Sequence, residues 1–178
     1  MASPVGHLAF GVAVTAVVAR ATGTPDSMTL WLGAVVASGV PDVDVVTQLL
    51  GLNQRYHRNA THSLLFAAMV TAAGLLVIRL LGLTIPTAVG LAWVAALLSH
   101  LALDVLTTGP TLGRLGWGIP LFWPFSRRRF HVQRPLLVGD RTESHDLRDT
   151  LREMREDLVR IVPPCALVVL FLRLWPGG

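Results

Sequence analysis

Four apolar segments dominate the N-terminal part of the chain, and they restrict what it can fold into. They cover about Val5–Ala19, Met28–Val40, Ser63–Leu83 and Pro86–Leu106. Hydrophobic residues make up 52% of the sequence and charged residues only 15%, a balance typical of membrane proteins. The last two segments reach the roughly 17–25 residues that a bilayer crossing requires, whereas the first two are shorter. We therefore expect an all-α integral membrane bundle of four to five helices.

Local signals predict where some of these helices begin and how they pack. Thr61 is a suitable N-cap for the third segment, and Pro86 suits the first turn of the fourth. Gly74 and Gly90 lie within these two segments, where small residues allow helices to approach closely. We expect close helix contacts at these glycines.

The 178 residues are expected to form a single domain, with a four-helix core in residues 1–106. Residues 107–142 are rich in Gly, Pro, Trp and Arg, which is typical of a loop at the lipid headgroup level. Residues 143–178 hold an amphipathic helix, expected on the membrane surface, and then a short apolar segment, Cys165–Trp175, after the helix-breaking Pro163-Pro164. Apolar side chains recur in that helix at helical spacing, at Leu147, Leu151, Met154, Leu158 and Ile161.

The arginines predict an orientation. All 15 basic residues are Arg, and alternate crossings would place twelve of them on one side and only Arg20, Arg79 and Arg173 on the other. The positive-inside rule then assigns the arginine-rich side to the cytoplasm. We expect a multi-pass protein of the inner (plasma) membrane. Anionic lipid headgroups are the expected partner, no specific nucleic acid is predicted, and the oligomeric state stays open.

The same alternation places four clusters of ionisable side chains at one membrane face. A cluster lies at the start of the first segment, the end of the second, the start of the third and the end of the fourth. Ionisable groups at the ends of membrane helices are costly and usually functional. The members are His7; Asp42 and Asp44; His57, Arg58 and His62; and His100 and Asp104.

Their residue types favour a metal site. His100 and Asp104 are four residues apart and share one helical face, whereas His57 and His62 are five apart and do not. A shell of imidazoles and carboxylates suits zinc and similar divalent ions. We expect one or two ions, with zinc the best match. The candidate ligands are His7, Asp42, His57, His62, His100 and Asp104.

Each assignment has a plainer alternative. His100 could donate to Asp104 for packing alone, Asp44 could be a solvated helix stop, and Arg58 could contact a headgroup. His7 could be a satisfied histidine at the mouth of the bundle. His145 and Asp149 repeat the four-residue spacing, but a solvated helix face is favoured there, and His131 is expected at the surface.

Metal-assisted hydrolysis is the simplest chemistry for such a site. Cys165 has no histidine near it in the sequence, and neither a serine-hydrolase elbow nor a phosphate-binding glycine loop is present. Asp44 or Asp42 could act as general base, and Arg58 could hold an anionic group. The alternatives are a non-catalytic metal-binding or transport protein and a structural membrane protein. The apolar middles of the third and fourth segments argue against permeation.

Several motifs also resemble one family. The resemblance rests on His57-Arg58-x-x-Thr61-His62-Ser63-Leu64, on Pro41-Asp42-x-Asp44, on His100-x-x-x-Asp104-x-x-Thr107 and on Trp123-Pro124-Phe125-Ser126. Together they resemble the YdjM family of small inner-membrane proteins, described as predicted metal-dependent hydrolases. The likeness runs from His7 to about Phe130. It implies that the six candidate ligands bind metal.

That family is more distantly similar to zinc-dependent phospholipase C and the P1-type nucleases, helical proteins that bind zinc through His and Asp. The similarity implies phosphodiester hydrolysis, with a lipid as the plausible substrate of a membrane enzyme. Those enzymes have a further histidine shortly after their HxxxD pair, whereas here the next histidine after Asp104 is His131. This difference favours one or two ions over three.

Overall fold

The computed structural model describes residues 2–44, 60–109, 118–136 and 147–175, and within them it contains six α-helices and no β-strand. The all-α prediction is confirmed, and the six described α-helices are close to the four to five expected. Two of these helices, Pro4–Thr22 and Thr87–Thr107, are long and apolar enough to cross a membrane. The helices are α1 (Pro4–Thr22), α2 (Met28–Gly39), α3 (Leu64–Leu80), α4 (Thr87–Thr107), α5 (Leu147–Arg160) and α6 (Val162–Leu174), and a 3₁₀ helix, Val40–Asp44, follows α2.

The start of α3 differs from the prediction. Ser63, and not Thr61, is the N-cap, because its hydroxyl accepts a hydrogen bond from the Phe66 amide at 3.1 Å. His62 therefore precedes the helix instead of lying in its first turn. A residue ahead of the cap is free of helical geometry, and its side chain can turn back toward the bundle. At the next helix, Pro86 is the N-cap and not a member of the first turn.

α1 and α4 form the centre of the bundle. α1 packs against α2, α4, α5 and α6, and α2 also packs along α4. α3 contacts the bundle mainly through α4 and buries only Ala67. Its other face exposes large apolar side chains, including Met69, Leu76 and Leu80. An apolar outer face is what a bilayer-facing helix requires.

The C-terminal helices also depart from the prediction. The amphipathic helix, α5, packs against α1 and α6 and buries Asp157 completely. Pro163 and Pro164 lie in the first turn of α6, where proline is tolerated because the missing amide would have no helical partner. They therefore help to begin the last helix as well as separating it from α5. The location of α5 at the membrane surface stays a prediction.

The glycines that allow close helix contacts are not the ones expected. Among the described residues, an added Cβ would meet nothing within 4 Å at Gly74 and only a distant methyl group of Ile85 at Gly90. The close approach is instead made by α2, where a Cβ on Gly33 would lie 2.0 Å from the Trp93 ring. Sequence shows that a glycine is small, but not which neighbour its helix face will meet.

Gly33→Ala is expected to destabilise the bundle by about 1–3 kcal/mol, the usual effect of overpacking. The new methyl group would displace the Trp93 indole, whose N–H donates to the Leu30 carbonyl at 3.1 Å. Equilibrium unfolding in detergent would measure the loss. Gly39→Ala is the matched control on the same helix, because its added Cβ meets nothing within 4 Å in the described chain. Equal unfolding of the two variants would contradict the tight α2–α4 contact.

Candidate metal centre

Five of the six candidate ligands converge at one end of the bundle. His7 comes from the first turns of α1, Asp42 from the 3₁₀ helix after α2, and His62 from the residues before α3. α4 supplies His100 and Asp104 from its last two turns. His62 and His100 are fully buried, and only Asp42 retains appreciable side-chain exposure, at 20%. The alternation of segment ends therefore brings these clusters together at one end of the bundle, as expected.

The donor atoms have the spacing of a ligand shell. His62 Nε2 lies 3.3 Å from His100 Nε2, 3.3 Å from Asp104 Oδ2 and 3.6 Å from Asp42 Oδ1. His100 Nε2 lies 3.5 Å from Asp42 Oδ1 and 3.7 Å from Asp104 Oδ2. Ligands about 2.0–2.2 Å from a tetrahedral zinc ion are about 3.3–3.6 Å from one another. The five measured distances, 3.3–3.7 Å, are close to the edge lengths of such a shell.

The outer nitrogen of His100 indicates its tautomer. Its Nδ1 lies 2.7 Å from the Ser38 carbonyl oxygen, which can only accept a hydrogen bond. Nδ1–H therefore donates, and in the neutral ring Nε2 carries the lone pair that a cation would bind. Metal-binding histidines almost always have such an outer partner. His62 has a comparable support, since its Nδ1 lies 2.9 Å from the Thr61 hydroxyl.

His7 approaches the cluster from the other side of Asp104. Its Nε2 lies 3.4 Å from Asp104 Oδ1, and its ring stacks on that of His100 with centroids 3.7 Å apart. Two groups of three donors that lie within 4.8 Å of one another are His7, Asp42 and His100, and His62, His100 and Asp104. They share His100, whose one available nitrogen can bind a single ion. The geometry therefore favours one ion at His100.

Asp42 is held in its charged form. Burial alone would raise its pKa, but hydrogen bonds from His100 and His62 when these rings carry a proton at Nε2, and the positive charge that His100 and His7 carry when protonated, lower the pKa of Asp42 well below its usual range. An ionised carboxylate at the partly open side of the cluster suits both cation binding and proton transfer.

One sequence comparison places the chain in a family. The profile of the YdjM inner membrane protein family matches residues 1–174. The chain belongs to this family. The match confirms the resemblance drawn from the motifs and identifies the chain as an inner-membrane protein. No curated protein and no solved structure matches it, so the distant similarity to zinc-dependent phospholipase C and P1-type nucleases stays an expectation.

Several candidate residues of this YdjM-family chain lie outside the described structure. His57, Arg58 and His145 fall outside the described residues, and the side chains of Asp44 and Asp149 are not described. Their assignments as ligand, anion anchor, general base or solvated pair therefore stay predictions. His131 is exposed, as expected.

Asp157 is a buried residue that sequence reasoning missed. Its carboxylate accepts a hydrogen bond from the Ser3 amide at the start of α1, and it packs so closely that a Cβ on Gly6 would lie 2.5 Å from Oδ2. A carboxylate at a helix N-terminus is favoured by the helix dipole. Asp157 thus ties α5 to the turn that carries His7 in this YdjM-family fold. Its position on the polar face of an amphipathic pattern concealed it.

Proposed function

We propose that this YdjM-family protein is a membrane-bound, metal-dependent hydrolase that acts on a phosphodiester or phospholipid at the cytoplasmic face. The observation that carries the proposal is the His62, His100, Asp42 and Asp104 cluster, whose donors are spaced as the ligands of one ion. Zinc is the divalent ion that best suits two imidazoles and two carboxylates. The alternative is a non-catalytic metal-binding or transport protein.

The fit to a cation rests on the direction of the donor atoms. When His100 is neutral, its proton lies on the nitrogen that faces Ser38, and Nε2 presents a lone pair. A second imidazole nitrogen, of His62, and carboxylate oxygens of Asp42 and Asp104 lie 3.3–3.7 Å from His100 Nε2. A bound divalent ion would supply Lewis acidity, which lowers the pKa of water and polarises a phosphoryl oxygen.

The remaining groups can supply binding and proton transfer. Asp42 is at the accessible side of an otherwise buried cluster, so water and substrate would approach past its carboxylate. Asp42 or the neighbouring Asp44 would accept the proton of the attacking water. Arg58 would bind the phosphate, because a guanidinium can donate two parallel hydrogen bonds to one anionic group.

A transport function is less well supported by the described residues. Both groups of candidate ligands lie at the same end of α1 and α4, whereas a transporter places its ion-binding groups near the bilayer midplane. α3 adds no buried polar side chain along its length. A polar cluster confined to one end of the bundle suits chemistry at one membrane face better than passage across the bilayer.

Metal content and turnover of the purified protein test the proposal together. We expect about one equivalent of divalent metal per chain, and chelator-sensitive hydrolysis of a phosphodiester or phospholipid that zinc restores. The panel should include phosphomonoester and acyl-ester substrates. If the purified protein holds its metal but hydrolyses none of these substrates, the metal-binding alternative would replace the hydrolase proposal. Protein that takes up no metal would overturn both readings.

The orientation of the site has its own prediction. The arginine asymmetry places the loop that contains Ser126 in the cytoplasm. Ser126→Cys, in a Cys165→Ala background, should therefore resist an impermeant thiol reagent in intact cells and react after permeabilisation. Leu83→Cys, in the exposed turn between α3 and α4, is the control for the other face and should react from outside. The reverse labelling pattern would invert the topology.

A further inference from the structure

A second polar site lies at the opposite end of the bundle. A cavity of about 250 Å³ opens between the C-terminal end of α1, the start of α2 and the end of α6. Arg20, one of its lining residues, follows His7 by thirteen positions on α1, which corresponds to about 20 Å along a helix. The cavity is therefore separated from the candidate metal centre by most of the length of α1.

The cavity collects positive charge on the side that has little of it. Arg20 and Arg173 both line it, and they are two of the three arginines that the sequence assigns to this side. Arg173 has a partner, since it lies 3.6 Å from Asp26 and over the Trp31 ring, whose N–H also donates to Asp26. Arg20 has no ion-pair partner among the described residues, and it is half-buried. Among the residues that the structure describes, the Arg20 guanidinium therefore lines the cavity without a carboxylate partner.

Part of the cavity wall is apolar. Ala16 of α1 and Val169 and Leu172 of α6 form this part of the lining. Next to them on α6, Leu170 and Phe171 are more than half exposed. Trp31, at the rim, is the residue type that membrane proteins place at the headgroup level. The site thus combines an anion partner with apolar lining and exposed apolar side chains nearby on α6.

We propose that this cavity binds an anionic phospholipid in the leaflet opposite the candidate metal centre. Arg20 binds the lipid phosphate, and an acyl chain lies along the apolar surface of α1 and α6. A phosphate oxygen supplies the negative charge that the described residues do not offer Arg20. A small free anion would match the guanidinium but would leave the apolar wall uncovered. This site is independent of the proposed hydrolase activity.

Lipid binding by the detergent-solubilised protein tests the proposal. Native mass spectrometry at limiting lipid would compare palmitoyl-oleoyl phosphatidylglycerol with the phosphatidylcholine of the same chains. We expect the wild type to prefer phosphatidylglycerol, and Arg20→Gln to weaken that binding about fivefold or more, the effect of one arginine at an anionic surface. Arg20→Lys should retain most of the preference. Arg79→Gln is the matched control, because Arg79 is exposed in the last turn of α3 and does not line the cavity.

A second variant tests the apolar wall without altering the charge. Leu172→Trp should fill the cavity and weaken phosphatidylglycerol binding while Arg20 remains. If Arg20→Gln does not fold, the lipid binding of Leu172→Trp tests the proposal in its place. Unchanged lipid binding in either folded variant would overturn the proposal, and so would an equal loss in Arg79→Gln. Displacement of the lipid by an equal concentration of inorganic phosphate would assign the site to a free anion instead.

Discussion

His100→Ala is expected to lower the affinity for zinc by more than about 100-fold while the protein still inserts into the membrane. Loss of an outer hydrogen-bond partner typically costs 10–100-fold in metal affinity, and loss of a ligand should cost more. His100 is central because its Nε2 lies within 3.7 Å of donor atoms of His62, Asp42 and Asp104. Elemental analysis of the purified variant, followed by titration with a competing chelator, would measure the change.

The control for this variant is His131→Ala. His131 is exposed and belongs to neither candidate ligand group, so its loss should leave metal content unchanged. Ser38 is not a useful control, because its contribution is a backbone carbonyl that no side-chain substitution removes. If His100→Ala retains the metal content and affinity of the wild type, the buried cluster is a packing arrangement of histidines and aspartates.

Arg58→Ala is expected to lower kcat by about 10²–10³-fold with full metal occupancy, the usual effect of losing one charge-stabilising donor. A guanidinium cannot ligate a cation, yet it can hold a phosphoryl group as negative charge develops. The position of Arg58 lies outside the described residues, so this prediction rests on its place in the sequence between His57 and His62. Steady-state kinetics and elemental analysis of the same preparation would separate catalysis from metal binding.

Arg55→Ala, three residues earlier in the chain, is the matched control for a general loss of positive charge and should keep near-normal turnover. A variant Arg58→Ala that loses its metal would make Arg58 a structural support for the site. Unaltered kcat would remove Arg58 from the catalytic assignment and leave the metal centre intact.

The sequence was sufficient to predict the membrane bundle and most of the candidate centre. Apolar length and helical periodicity are local properties, so α1, α2, α3 and α4 could be located from the chain alone. Alternation of their ends then placed His7, Asp42, His62, His100 and Asp104 at one face without any knowledge of helix packing. That argument depends only on which end of each segment carries a polar side chain.

Helix packing determines contacts that no local sequence pattern predicts. The Ser38 carbonyl reaches His100 across 62 residues of sequence, and Asp157 reaches Ser3 across 154. Neither pairing has a local signature, since every residue has a carbonyl group and Asp157 lies on the polar face of its helix. Hydropathy and spacing specify each helix separately. Packing between helices that are distant in the sequence decides which helix faces meet. It therefore decides which nitrogen of His100 binds the Ser38 carbonyl and which carboxylates are buried.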